Sequence, residues 1–286
     1  MFEEKKIKEL VLVSLVADSY SLGSHWVYDE NQLAKDSINW NILNAPMAIW
    51  HKGKGAGEFT HYGDQTLWLY EFILENNNFN EKEFSKYWFE KMKTYDGYLD
   101  SASKQSMQNI ANGITPSGST STDMSVIGRI APLLLVSENK IEFLQNVEKL
   151  INLTHNNIKT ITCGKFFAKL LLMVLEGKNI IESISFLKDE FDTSIQKMIT
   201  RGIDSKNENT YDSIRNFGPA CDIDDGFSGI IHLLCKYDNL KELLIQNAKA
   251  GGDTSSRAMI SSIIFMANKS YNQIPQEWLA IKANIN

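Results

Sequence analysis

The run Ala250-Gly251-Gly252-Asp253-Thr254-Ser255-Ser256-Arg257 separates two helical patterns of different character. Before it, Leu240, Leu243, Leu244 and Ala248 recur at the i, i+3, i+4 spacing of an amphipathic helix; after it, Met259 to Ala267 is almost wholly apolar. The paired glycines let the backbone turn sharply, and an acid with three hydroxyls stands where the next helix begins. An apolar helix of that kind must be wrapped on all sides by other elements, so the run predicts a thick helical core with a polar cluster at its mouth.

The rest of the chain supports a helical core. Ile7, Leu10, Val11, Ser14, Leu15 and Asp18 fall on or near one face of a first helix. Further helical faces are carried by Leu67 to Leu74, Val126 to Leu134, Phe143 to Ile151, Phe166 to Leu175 and Ile180 to Leu187. Strand-like alternation is nearly absent and only five prolines interrupt. The predicted fold is a single all-α domain over residues 1–286, a compact multi-helix bundle of about a dozen helices. Three long connections, 39–62, 114–123 and 205–225, are the expected places for a site on such a body.

Composition excludes several classes. A net charge of −6 without a lysine or arginine run argues against a nucleic-acid partner. No apolar run is long enough to span a bilayer. The three cysteines, Cys163, Cys221 and Cys235, are scattered and form no CxxC or zinc spacing, so the expectation is a cytoplasmic protein with reduced thiols. The histidines His25, His51, His61, His155 and His232 show no HExxH-like spacing, and no nucleophile elbow, P-loop or GxGxxG is present.

Read alone, Asp64 (in Gly63-Asp64-Gln65-Thr66) and Asp253 are helix N-caps. Read together, they offer two carboxylates and several hydroxyls that converge if the two helix starts face one another, an oxygen-rich shell suited to Mg²⁺ or to a phosphate-bearing ligand. Asp18, an acid on an apolar face, is either a structural acid bonded to a loop or a residue beside the site. Glu58, in a loop rich in aromatics and glycines, is either a solvated acid or a general acid/base. Ser125 closes a hydroxyl-rich loop, His155 stands between two helices, and the charge of Arg257 requires a partner, either a ligand phosphate or an acid such as Asp64 or Asp18.

In order, Asp18, Gly63-Asp64-Gln65-Thr66, Arg129-Ile130-Ala131-Pro132-Leu133, Thr154-His155 and Gly251 to Ser256 resemble the ADP-ribosylglycohydrolase family over nearly the whole chain. The resemblance implies a compact all-α fold, a two-magnesium site and cleavage of the N- or O-glycosidic bond of ADP-ribose. The family's Thr-Asp-Asp-Thr is here Gly63, Asp64, Gln65 and Thr66, and its Gly-Asp-x-Asp-Thr is Gly252, Asp253, Thr254, Ser255 and Ser256, so each motif lacks one acid. With His25-Trp26-Val27-Tyr28-Asp29, the pattern looks like the J-crystallin branch of that family. For a hydrolase of this kind, the expected catalytic acid is Asp18 or Glu58, and the expected metal ligands are Asp64 and Asp253 with help from Thr66 and Ser256. The expected substrate contacts are Gly63, Gln65, Ser125, His155, Gly252, Ser255 and Arg257. With two acids gone, one Mg²⁺ at most is expected. The expected partner is an ADP-ribose-like molecule or an ADP-ribosylated substrate. The alternative function is a non-catalytic binding or structural protein that keeps the fold and pocket.

Overall fold

The computed structural model describes residues 2–34 and 38–285. The described residues form thirteen α-helices joined by short 3₁₀ segments, with no sheet beyond isolated bridges. At the centre lies α13 (Thr254–Met266), every residue of which is buried. It packs against α1 (Glu4–Ser21), α7 (Ile158–Leu175), α11 (Ile223–Lys236) and α12 (Leu240–Ala250). Its all-round apolar character therefore reflects a helix wrapped by neighbours rather than one lying on a surface. The C-terminal half of α1 is equally enclosed, buried without interruption from Val13 to Ser21.

The helix that carries the first motif, α3 (His61–Asn76), starts earlier than the apolar pattern from Leu67 suggests. Its N-cap is Thr60, whose hydroxyl accepts the Tyr62 N–H at 3.1 Å. Asp64 therefore lies in the first turn and is not a cap. A polar first turn carries no apolar periodicity, so the pattern could not reveal where the helix begins. The cap expected at Asp253 is present: its side chain accepts the Ser256 N–H at 3.1 Å. His155 caps the C-terminus of α6 (Lys140–Thr154), and Asn157 caps the start of α7.

Two other sequence expectations are corrected. The face from Val126 to Leu134 is two 3₁₀ segments, Ser125–Arg129 and Ala131–Leu135, because Pro132 lacks an N–H and its ring disfavours an α-turn before it. The connection 205–225 is not a long loop, since it contains α10 (Thr210–Phe217), a helix with a strongly one-sided apolar face.

Candidate functional site

Asp18 draws the two motif helices together. Its buried carboxylate accepts the Thr60 N–H at 2.8 Å and the Thr60 hydroxyl at 2.6 Å, at the start of α3, and also the Ser255 hydroxyl at the start of α13. Burial pushes the Asp18 carboxyl up to about 6, against the hydrogen bonds of Ser255 and Thr60. Gly63 makes the approach possible, since a Cβ there would run into the Asp18 carboxylate. The two helix starts do converge, as the sequence suggested, and the residue that joins them is Asp18.

Asp64 faces the other way, into an open cavity of about 780 Å³ walled by Trp50, Trp68, Tyr95, Tyr98, Lys52, Lys54, Lys104 and Glu58. Its Oδ2 accepts a hydrogen bond from Tyr95 at 2.5 Å and forms an ion pair with Lys54. Burial raises the Asp64 carboxyl above its usual range, and Lys54 and Tyr95 oppose that rise. Gln65 is buried, its Oε1 accepting from Trp88 Nε1 at 2.9 Å and from Arg129 at 2.7 Å. The Thr66 hydroxyl donates to the Tyr62 carbonyl at 2.9 Å. Glu58 accepts the Gly55 N–H and lies 3.6 Å from Lys282. That backbone bond, then Lys282, holds its carboxyl below the ordinary glutamate value.

Asp253 belongs to a second polar group. A donor atom from each of Asp253, Asp123 and Cys221 lies within 4.8 Å of the others. The Tyr62 hydroxyl donates to Asp123 at 3.3 Å and lies 3.5 Å from Asp253, and His25 Nδ1 is 3.4 Å from Asp253. Burial and the neighbouring Asp123 carboxylate push the Asp253 carboxyl up to about 6. Burial, Asp123 and Asp253 together push the Cys221 thiol well above its usual range. Gly252, at φ +68°, lets the chain pass under Pro219, whose carbonyl accepts the Asp253 N–H at 2.7 Å. Ser125 is buried beside this group, its N–H donating to Asp123 at 2.6 Å, and the Ser256 side chain is buried next to Asp253.

Arg257 pairs with neither Asp64 nor Asp18. Its guanidinium donates to Asn247 Oδ1 at 2.8 Å and to the carbonyls of Pro219 (3.1 Å) and Gly251 (2.6 Å), so it braces the turn that holds Asp253. Backbone carbonyls satisfy the fork, and a sequence pattern built on charged partners cannot foresee them. His155 is also buried, its Nδ1 2.8 Å from the Thr154 hydroxyl; burial lowers its pKa and keeps the ring neutral.

Sequence reading missed an aromatic and imidazole cluster between the two groups. The rings of His25 and Trp26 stack at 4.6 Å, those of His51 and His61 at 5.7 Å, and Tyr98 lies against Trp26 at 5.0 Å. Trp26 sits in the left-handed region at φ 59°, costly for a side chain of its size; its N–H donates to the Gly252 carbonyl at 2.7 Å. His61 Nε2 lies 3.1 Å from Asp100; burial raises the Asp100 carboxyl, but His61 and the Ser103 N–H outweigh it and hold the group well below the usual range. Also missed were Lys54, Tyr95, Asp123 and Cys221. The one available signal was Lys54, set among glycines in Lys52-Gly53-Lys54-Gly55.

The donor chemistry can be compared with the two magnesium ions that the resemblance implies. The first motif presents a single carboxylate, already paired with an ammonium, beside an amide bound to a guanidinium; it does not fit a divalent cation. The group of Asp123, Cys221 and Asp253 can hold one ion, although its thiol favours a softer cation than Mg²⁺.

The family model for ADP-ribosylglycohydrolase matches residues 2–283. The chain belongs to the ADP-ribosylglycohydrolase family. Among its relatives are Crystallin J1A of Tripedalia cystophora, 22% identical, and Crystallin J1B of the same organism, 20% identical. Each alignment covers 96% of this chain and 91% of the crystallin. A solved structure described as an ADP-ribosylglycohydrolase-related protein complex shares the fold, with a TM-score of 0.71 at 15% identity, covering 96% of this chain and 92% of the other. No described helix is long and apolar enough to cross a membrane.

Proposed function

We propose that this chain binds an ADP-ribose-like molecule in the cavity over Asp64 and hydrolyses its N- or O-glycosidic bond, with one Mg²⁺ at most. The observation that carries the reading is that Asp64 and Glu58 share one cavity wall with aromatic rings and three lysines. Trp50 and Tyr98 suit an adenine ring, and Lys52 and Lys104 suit phosphates. The reaction breaks the bond from the ribose anomeric carbon to nitrogen or oxygen and forms one to water oxygen, while a proton moves to the leaving group. Glu58, held ionised by the Gly55 N–H, is the base for water, and the Lys54, Tyr95 and Asp64 group supplies the leaving-group proton. Asp18 takes no part in proton transfer in this reading; all its hydrogen bonds point inward, and its role is to position α3 and α13. An ion at Asp253 and Asp123 would add positive charge on the far side of Tyr62.

Calorimetry with ADP-ribose, with and without Mg²⁺, and release of ADP-ribose from ADP-ribosylated arginine and serine test the reading. Binding with turnover is expected, and Glu58→Gln should lower turnover about 10²-fold or more with binding kept. Absence of heat in every titration sinks the proposal. Binding without turnover instead supports the second reading, a non-catalytic binding or structural protein. That reading draws on the internal neutralisation of Asp64 and on the crystallin relatives.

A further inference from the structure

The first motif contains a carboxylate that a resident side chain already neutralises. Lys54 reaches Asp64 from the glycine-flanked loop, and Tyr95 donates to the same oxygen at 2.5 Å. The Lys54 side chain is 18% exposed and that of Asp64 17%, so the pair is largely withdrawn from solvent and its attraction is weakly screened. The neighbouring donors are committed elsewhere. The Gln65 carbonyl oxygen is held by Trp88 and by the buried guanidinium of Arg129, and the Thr66 hydroxyl is bonded to its own helix. A divalent ion at Asp64 would therefore meet an ammonium on the only carboxylate of the motif and a guanidinium on the amide beside it.

We propose that Lys54 is the built-in counter-cation of Asp64 and excludes divalent metal from this half of the site. Gln65 removes the second negative charge that a divalent ion would need beside Asp64, and its amide oxygen is already taken by the Arg129 guanidinium. Lys54 thus fixes the charge of Asp64, and it lies in the cavity wall, where an anionic ligand would meet it directly.

The test counts Mn²⁺, a paramagnetic stand-in for Mg²⁺, bound per chain by the spin-resonance signal of the free ion; it needs no substrate. The expected result is that Asp64→Asn binds as many ions as the unmodified protein, while Lys54→Glu, which replaces the ammonium by a second carboxylate, binds one more. The added ion should vanish in the double variant Lys54→Glu/Asp64→Asn. Loss of one ion from the unmodified protein on Asp64→Asn overturns the proposal, and so does the absence of any gain in Lys54→Glu. Should Lys54→Glu fail to fold by circular dichroism, Lys54→Asp, which likewise replaces the ammonium by a carboxylate, takes its place with the same expected gain. These counts hold or fail whether or not the cavity binds ADP-ribose, so they separate this inference from the proposed activity.

Discussion

Asp18 shows how one side chain can be read two ways until its partners are known. Buried and joined by Thr60 and Ser255, it replaces the water that an ionised carboxylate needs with three donors. Removing it strands those donors in the interior. Asp18→Ala should therefore cost about 3–5 kcal/mol in urea unfolding, well beyond the ~1 kcal/mol of a lost helix cap, and Asp18→Asn should cost less because one acceptor oxygen remains. Equal losses for the two variants would show that the carboxylate is not what joins the helices. Gly63 belongs to the same arrangement: the family's threonine at this place would collide with Asp18 as it lies here.

At the scale of elements, the site depends on a turn and the two helices it joins. α12 ends at Gly251 (φ +71°), Gly252 follows at φ +68°, and Asp253 caps α13. Arg257, one turn into α13, reaches back to the Gly251 carbonyl and to Asn247, and Asn247 in turn donates to the Thr254 carbonyl at 2.7 Å. Neither glycine can be exchanged for a residue with a Cβ without strain, and at Gly252 the Pro219 backbone is also in the way. Gly252→Ala is expected to lower stability by about 2–4 kcal/mol, measured by denaturant unfolding. A loss below about 1 kcal/mol would mean that the turn has another conformation within reach. The existence of this turn was legible in the Gly-Gly-Asp run. The role of Arg257 was not, because its partners are backbone carbonyls and an amide brought near only by the turn itself.

The whole molecule buries many ionisable groups, and pH sorts them into two opposed sets. Asp18 and Asp253, both raised to about 6, contribute stability that is full below their unfolded values near 4 and is lost as pH rises through 6. The histidines run the other way. Burial lowers His51 to about 3 and His232 to about 4, and it also lowers His25 and His155, so the stability of their neutral rings is present above about 6.5 and is lost as pH falls below it. Burial also raises Asp64 and Asp225, but less far, so between pH 7 and pH 5 the four histidines outweigh the acids and stability should fall. Urea midpoints across that range check the sign, and a midpoint that rises toward pH 5 would show that the acids dominate. Replacing His232, which lies between Ser205 and Thr210 and away from the candidate site, by Gln should flatten part of the slope.

Much of this protein was decided locally. Helical periodicity, the cap at Asp253 and the paired glycines are properties of neighbouring residues, and they were sufficient for an all-α fold with a polar cluster at the mouth of its central helix. The start of α3 leaves no apolar pattern because Thr60 and the first turn are polar, whereas Pro132 marks the break in its segment within the sequence itself. What tertiary structure alone decided is which carboxylate meets which partner. Asp18 went to Thr60 and Ser255, Asp64 to Lys54 and Tyr95, and Asp253 to a group with Asp123 and Cys221. These pairings join residues up to 237 positions apart. They follow from how the helices pack, and the energy of a buried charge depends on that packing rather than on its place in the chain.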